Sequence, residues 1–233
     1  MRYKYSDIKN SFHPQEPWVN VLLLKYITVP LVYLMVNFTN ITPNIISIVS
    51  LLLGMSSAFF YFTGDLFFGC LLYFIAYIFD ATDGKVARIK GNGTVYGSWV
   101  DTFIDRFNLV IISSSISYNF FVMYDNIYFL VLNSFFLGLA FIGWESRYNI
   151  DFYKLKFSVN LKESAKMSAY AKWCLKNGLV KEPISLPEIF LFYLLILPHL
   201  NEILSLISII GVLFLLIIRL CKQQIFWFNV TNR

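Results

Sequence analysis

Charged residues are scarce in this chain of 233 residues. Asp, Glu, Lys and Arg together make up 14% of it, whereas a typical soluble domain carries about 25%. Apolar residues make up 58%, and the mean hydropathy is +0.62. One buried core cannot hold so many apolar side chains, so lipid must solvate much of the surface. We therefore expect an integral membrane protein.

Cysteine and histidine are also rare, with three and two residues respectively. Cys70, Cys174 and Cys221 are scattered, no pair has the spacing of metal ligands, and their odd number argues against a disulfide framework. We interpret the cysteines as ordinary packing or surface residues, and we assign no role to His13 or His199. A metal site in this chain is therefore expected to use oxygen ligands.

The positive net charge of +5 lies mainly in a few connections between apolar segments. In a soluble protein such a charge would suggest nucleic acid as a partner. Here the arrangement favours anionic lipid headgroups and a phosphorylated substrate, and we expect no nucleic-acid partner.

Six apolar segments are long enough, or nearly so, to cross a bilayer as helices, which takes about 20 residues. The second reaches that length only if it continues through Asp80 and Asp83, and the fifth is short and ends at Pro198. We expect an all-α integral membrane fold with six transmembrane helices in residues 41–222. The segments are residues 43–62, 66–79, 96–121, 127–144, 186–197 and 203–220.

A seventh apolar segment, residues 18–38, contains Asn20, Lys25 and Pro30. It could cross the membrane, but we favour an amphipathic helix that lies flat in the cytoplasmic interface. Residues 1–40 would then form the cytoplasmic N-terminus and this juxtamembrane helix. Residues 148–185 are the one sizeable polar stretch and are predicted to be a cytoplasmic loop of a single membrane domain, residues 1–233.

Basic residues predict the topology. Lys85, Arg88 and Lys90 follow the second segment, and a Lys-rich stretch follows the fourth, whereas the connections at 64–65, 122–126 and 199–202 contain no Lys or Arg. Positively charged connections stay in the cytoplasm, so both termini are expected there and the number of spans is even. A spanning 18–38 segment would place the basic N-terminus outside. Arg147 either sets topology in the same way or binds a phosphate on the acceptor.

The most informative residues lie where the second segment ends and the third begins. A carboxylate at membrane depth costs about 2.5–3.5 kcal/mol, so an acid there indicates function. Residues three or four apart share one face of a helix. Two antiparallel helices joined by a short loop can therefore turn two acidic stripes toward each other. The run reads Asp80-Ala-Thr-Asp83-Gly84-Lys-Val-Ala87-Arg88, then eight residues, then Gly97-Ser-Trp-Val-Asp101-Thr-Phe-Ile-Asp105.

Four carboxylates this close repel one another unless protons or cations lie between them. Oxygen ligands alone predict a hard ion such as Mg²⁺, with Mn²⁺ or Ca²⁺ as substitutes, and one or two such ions could bridge a diphosphate. Structural ion pairing with Lys85, Arg88 and Arg106 is the alternative. We disfavour it because so few bases cannot neutralise four acids well and because the Lys85 side chain can extend to water.

This run resembles the signature of the CDP-alcohol phosphotransferase family, D-x2-D-G-x2-A-R-x8-G-x3-D-x3-D. The segment Ile41-Thr42-Pro43-Asn44 resembles the family's usual start of the first transmembrane helix, and a juxtamembrane helix before six spans is similar too. All eight fixed positions are filled, namely Asp80, Asp83, Gly84, Ala87, Arg88, Gly97, Asp101 and Asp105.

The resemblance implies a six-helix membrane enzyme, usually a homodimer, with a polar cavity open to the cytoplasm. It implies Asp80, Asp83 and Asp101 as ligands of two Mg²⁺ or Mn²⁺ ions. Asp105 would be the general base for the acceptor hydroxyl and a further metal contact. CMP would leave as the acceptor oxygen attacks the β-phosphorus. The CDP pocket would be lined by Asn44, Gly84, Ala87, Arg88 and Gly97.

Two arrangements of donor and acceptor stay open. The favoured one is transfer of a phosphatidyl group from CDP-diacylglycerol to a small alcohol, in phospholipid synthesis at the plasma or inner membrane. In the other, a soluble CDP-alcohol donates its head group to a lipid or another alcohol. A remote alternative is a divalent-cation transporter, which would favour ligands at the bilayer midplane and related features in both halves of the chain.

Overall fold

The structure is a computed structural model that describes residues 3–10, 16–156, 169–179 and 186–231. Apart from turns and one isolated bridge between Glu16 and Leu179, its described secondary structure is helical. A π-helical turn, Asn20–Leu24, leads into α2, and a 3₁₀ turn, Leu197–His199, follows α8. The helices are α1 (Tyr5–Asn10), α2 (Lys25–Phe38), α3 (Pro43–Thr63), α4 (Leu66–Lys90), α5 (Val95–Tyr124), α6 (Tyr128–Lys156), α7 (Ala169–Lys176), α8 (Leu186–Leu195) and α9 (Glu202–Thr231).

Local sequence signals explain where α3 and α4 begin and end. Pro43 occupies the first turn of α3, where its missing N–H costs nothing. α3 ends at Gly64, whose φ of 90° suits glycine. The Asp65 carboxylate then caps α4 by accepting a hydrogen bond from the Phe68 N–H. α4 ends at Gly91, with φ 63°. The two helices therefore form a tight antiparallel hairpin.

The chain divides into two compact units. The first comprises Met1–Asn119 and Met167–His199, and the second comprises Phe120–Lys166 and Leu200–Arg233. α3 and α4 form the central pair of the first unit, and α6 packs against α9 in the second. All the sequence-predicted site residues lie in the first unit.

Small polar residues let α3 and α4 approach closely. The Ser57 hydroxyl donates to the Gly69 carbonyl at 2.7 Å, and the Ser50 hydroxyl donates to the Ala76 carbonyl at 3.0 Å. Both serines are buried. In a membrane protein, small residues and hydrogen bonds between helices supply contacts that the hydrophobic effect alone does not. This packing fixes α4, which carries half of the acidic signature, against α3.

The N-terminal helix α2 packs on the signature end of this hairpin. Val32 and Val36 form one apolar cluster with Ile46 of α3 and Val86 of α4. The Tyr77 hydroxyl donates to Asn20 Oδ1 at 3.2 Å, and the Lys90 ammonium donates to the Ile41 carbonyl at 2.8 Å. The π-helical turn and α2 therefore follow α4 from its middle to its end.

Six helices in the described residues are long and apolar enough to cross a membrane. An all-α membrane fold with six such helices is thus confirmed, but the membership differs from the prediction. The segment Asn20–Phe38 is among them, whereas the predicted fifth span, residues 186–197, overlaps only the shorter apolar stretch Ile189–His199 in the described residues. The flat orientation of residues 18–38 stays a prediction. The six are Asn20–Phe38, Pro43–Thr63, Leu66–Lys90, Val95–Tyr124, Tyr128–Ser146 and Glu202–Ile225.

Two predicted boundaries can be compared with the helices. α4 continues through Asp80 and Asp83 to Lys90, as a span of sufficient length requires. α6 continues to Lys156, so the predicted loop 148–185 begins with helix. Residues 157–168 and 180–185 of that stretch, and the side chain of Arg147, lie outside what the structure describes.

Candidate active site

The acidic signature residues converge where α4 ends and α5 begins. Asp80, Asp83 and Asp101 each offer one carboxylate oxygen, and these three atoms lie within 4.8 Å of one another. The carboxyl groups of Asp80 and Asp105 are hydrogen-bonded to each other. The two acidic stripes therefore face each other, which confirms the predicted geometry. The roles of the four side chains stay predictions.

Asp83 is the anchored member of the cluster. The Ser47 hydroxyl of α3 donates to Asp83 Oδ2 at 2.5 Å, and the backbone N–H of Gly84 hydrogen-bonds to the same side chain. Ser47 and Asp83 are both only 4% exposed. Sequence reasoning missed Ser47. Its signal was its position one helical turn after Asn44, on the α3 face that meets α4.

Exposure changes across the cluster. Asp83 is buried, Asp80 and Asp101 are half-buried, and Asp105 is exposed. The cluster is therefore closed beside α3 and open beside Asp105. A ligand can approach from the open side while Ser47 keeps the orientation of Asp83 fixed. This is the arrangement that a site needs when it holds one group and admits another.

The residues predicted to line a nucleotide pocket fall into two close pairs. A Cβ built on Gly97 would lie 3.1 Å from Asn44 Oδ1 and 3.1 Å from Thr94 Oγ1, so the Asn44 side chain lies directly against the Gly97 backbone. A Cβ on Gly84 would lie 3.5 Å from Arg88 Nη1. Glycine at position 97 therefore lets the Asn44 side chain approach the backbone closely, whereas a methyl group at position 84 would meet Arg88 at an ordinary van der Waals distance. Ala87 is half-buried on the same end of α4.

Lys85 does not extend to water as expected. It is 3% exposed, its ammonium donates to the Ala81 carbonyl at 2.7 Å, and it lies 3.8 Å from the Glu16 carboxylate. Glu16 is itself 5% exposed. Arg88 is exposed and interacts electrostatically with Glu16 and Asp83. Sequence reasoning missed Glu16, because a glutamate 64 or more residues before the signature carries no local pattern that links it to α4.

The donor set fits a hard divalent cation. All the candidate ligand atoms are carboxylate oxygens, which Mg²⁺ and Mn²⁺ prefer. In octahedral Mg²⁺ coordination, ligands on opposite sides lie about 4.2 Å apart and adjacent ligands about 3 Å apart, so oxygens within 4.8 Å would close by up to about 2 Å around one ion. The Ser47 hydroxyl holds one carboxylate from outside, as the supporting groups of metal ligands commonly do.

Comparison with known families agrees with this geometry. A sequence model of the CDP-alcohol phosphatidyltransferase family matches residues 40–230, which is most of the chain and includes every signature position. The chain belongs to the CDP-alcohol phosphatidyltransferase family.

A solved structure shares the fold of this family member. The crystal structure of the phosphatidylinositol phosphate synthase of Mycobacterium tuberculosis, with CDP-DAG bound, superposes with a TM-score of 0.59. The match covers 87% of this chain and 92% of the other, at 14% sequence identity. At that identity the likeness shows the fold alone.

Two proteins of Aquifex aeolicus (strain VF5) match shorter segments of this family member. A bifunctional IPC transferase and DIPP synthase is 40% identical over 67 residues, which is 28% of this chain and 15% of the relative. An uncharacterized protein is 32% identical over 69 residues, which is 30% of this chain and 35% of the relative. The chain thus spans well under half the length of both relatives.

Proposed function

We propose that this enzyme transfers a phosphatidyl group from CDP-diacylglycerol to the hydroxyl of an acceptor alcohol, with release of CMP and with dependence on Mg²⁺ or Mn²⁺. The convergence of carboxylates from two helices within 4.8 Å carries the proposal. It gives a CDP-alcohol phosphotransferase a site at which a diphosphate can be held and split.

Asp80, Asp83 and Asp101 are proposed to hold two divalent cations, with Asp105 as a further contact. When bound, such cations would offset the negative charge that builds up on the leaving CMP. Ser47 keeps Asp83 oriented through the 2.5 Å hydrogen bond, so the ligand geometry is set before substrate arrives. Asp80 and Asp101 approach from opposite helices and complete the cluster.

Asp105 is proposed to be the general base. An alcohol is a weak nucleophile, and a positioned base activates it by taking its proton as the bond to phosphorus forms. Asp105 is the one exposed carboxylate of the four, so an acceptor hydroxyl can reach it. Its contact with Asp80 keeps it beside the proposed metal site. The proton would pass from the acceptor oxygen to a carboxylate oxygen of Asp105.

The nucleotide is proposed to bind along two pairs of neighbouring residues, Asn44 with Gly97 and Gly84 with Arg88. Arg88 is exposed and carries a planar guanidinium that suits a diphosphate. Gly84, Ala87 and Gly97 leave room beside the backbone, and Asn44 lies against Gly97, where it can reach a base or ribose. The CDP-DAG named for the mycobacterial structure supports the choice of donor.

A lipid donor also fits the surface of α5. Four aromatic rings stack in sequence along one face of this helix, with ring centroids 5.7–6.1 Å apart. They belong to Tyr96, Trp99, Phe103 and Phe107, and all are exposed. This face begins at the level of the carboxylates and could contact acyl chains.

We further propose that the enzyme is a homodimer of the plasma or inner membrane. Its active site and both termini would lie in the cytoplasm, an orientation that the basic connections predict.

Release of radiolabelled CMP tests the proposal. Purified enzyme in detergent is given CDP-diacylglycerol or a soluble CDP-alcohol, each with a panel of acceptor alcohols, and with Mg²⁺ or EDTA. We expect Mg²⁺-dependent release from CDP-diacylglycerol, and mass spectrometry of the lipid product then identifies the acceptor. Release only from soluble CDP-alcohols would overturn the choice of donor, and full activity in EDTA would overturn the metal dependence.

Asp105→Asn tests the proposed base in the same assay. The substitution keeps the size of the side chain but removes its ability to accept a proton, so we expect CMP release to fall by a factor of about 10² to 10⁴. Binding of CDP, measured by calorimetry, should change little. A variant with full activity would remove Asp105 from this role.

A further inference from the structure

A buried pair of charges, Glu16 and Lys85, includes one residue of the signature segment. Glu16 and Lys85 are 5% and 3% exposed, and their charged atoms lie 3.8 Å apart. Glu16 precedes the part of the chain that matches the family, residues 40–230, and Lys85 occupies a variable position of the signature. Burying two charges is costly unless the pair is held in good geometry. Such a pair next to a catalytic cluster calls for a reason.

The reason lies in what Lys85 would do without Glu16. Lys85 follows Asp83 by two residues, and its ammonium interacts electrostatically with Asp80 and Asp83 as well as with Glu16. A mobile ammonium on a four-carbon stem is a compact positive charge that can replace a metal ion among carboxylates. Glu16 forms an ion pair with this ammonium at 3.8 Å.

Arg88, one helical turn further along α4, is coupled to the same glutamate. Its guanidinium interacts electrostatically with Glu16 and Asp83. Glu16 thus interacts electrostatically with both Lys85 and Arg88, the two bases within the α4 part of the signature. The backbone of Glu16 is tied to the segment after α7, because its N–H donates to the Gly178 carbonyl at 2.9 Å. Two residues further on, the Trp18 ring packs against Trp173 of α7, with the ring centroids 5.9 Å apart.

We propose that Glu16 is a positioning residue: it holds the Lys85 ammonium away from the metal-binding carboxylates. This inference rests on the proposed function of the carboxylate cluster. The segment Gly178–Leu179 after α7 completes the arrangement by fixing the Glu16 backbone. The consequence is that a residue outside the matched part of the chain sets the cation requirement of the enzyme.

Three variants separate this role from a purely structural one. Glu16→Gln removes the counter-charge and frees Lys85 to enter the cluster, so the Mg²⁺ concentration for half-maximal activity should rise about tenfold, which corresponds to about 1.4 kcal/mol. Lys85→Met leaves no competing ammonium and should keep the Mg²⁺ requirement close to that of the wild type. The double variant, which combines Glu16→Gln with Lys85→Met, should return the Mg²⁺ requirement to near the wild-type value.

The affinity for Mn²⁺, measured on the purified protein by electron paramagnetic resonance without substrate, should fall in Glu16→Gln and recover in the double variant. Glu202→Gln, which makes the same change at the start of α9, should leave the Mn²⁺ affinity and the Mg²⁺ requirement unaltered.

The outcomes keep this inference separate from the proposed function. If the wild type releases no CMP, the proposed function fails. If the wild type is active but Glu16→Gln folds and keeps the wild-type Mn²⁺ affinity and Mg²⁺ requirement, the positioning role is wrong. If Glu16→Gln yields less folded protein but the remaining folded fraction binds Mn²⁺ with wild-type affinity, the pair contributes to stability alone.

Discussion

Removing one hydroxyl from α3 should weaken cation binding in α4. Ser47→Ala deletes the donor of the 2.5 Å hydrogen bond to Asp83 Oδ2, at a site where both residues are 4% exposed. A hydrogen bond to a charged group contributes about 1.5–3 kcal/mol. Losing a group that orients a metal ligand typically costs about 10–100-fold in metal affinity. The two estimates agree, since each 1.4 kcal/mol is about tenfold.

A matched control lies one turn further along the same helix. Ser50→Ala deletes a buried hydroxyl that donates to the Ala76 carbonyl at 3.0 Å and touches no carboxylate. Both variants should lose some stability, but only Ser47→Ala should raise the Mg²⁺ concentration for half-maximal CMP release, by about 10–100-fold. If Ser47→Ala responds to Mg²⁺ like the wild type, or if Ser50→Ala shifts equally, Asp83 is not a ligand that Ser47 orients.

Two glycines offer further tests. In Gly54→Ala the new methyl group would overlap the buried Asn108 side chain, so we expect the free energy of unfolding to fall by about 1–3 kcal/mol. The control Gly138→Ala, with open space around its Cβ, should be neutral. Equal unfolding curves for the two variants would contradict the close packing of α3 on α5. In Gly97→Ala the methyl group would lie 3.1 Å from Asn44 Oδ1 and displace it, so the KM for the CDP donor should rise with little change in kcat. The control Gly93→Ala, whose methyl group would make an ordinary contact at 3.8 Å, should behave as the wild type. An unchanged KM in Gly97→Ala would remove Asn44 from the pocket.

The sequence predicted the acidic cluster because its geometry is local. Asp80 and Asp83 lie one turn apart, as do Asp101 and Asp105, and a short connection forces the two helices to be antiparallel. The observed approach within 4.8 Å follows from those spacings. Membrane insertion could be predicted from the sequence equally well, because apolar content and segment length decide it.

The contacts that sequence reasoning missed are those between distant parts of the chain. Ser47 and Glu16 reach the signature from 36 and 69 residues away in sequence, and neither stands out by type or spacing. The candidate spans also differ from the predicted ones, while the flat orientation of residues 18–38 stays a prediction. Asn20–Phe38 meets the length and hydropathy of a span despite Lys25 and Pro30, whereas the helix before Pro198 is too short in the described residues. Length limits are set by helix boundaries that hydropathy alone locates poorly.

The most direct test is a titration of the purified wild-type enzyme with Mn²⁺, followed by electron paramagnetic resonance, alongside Asp80→Asn and Asp101→Asn. These two residues belong to different helices, and they meet only if α4 and α5 turn their carboxylates toward each other. We predict that the wild type binds Mn²⁺ and that each variant weakens that binding by a factor of about 10 or more. Tight binding that survives either substitution unchanged would contradict a shared cation site between the two helices.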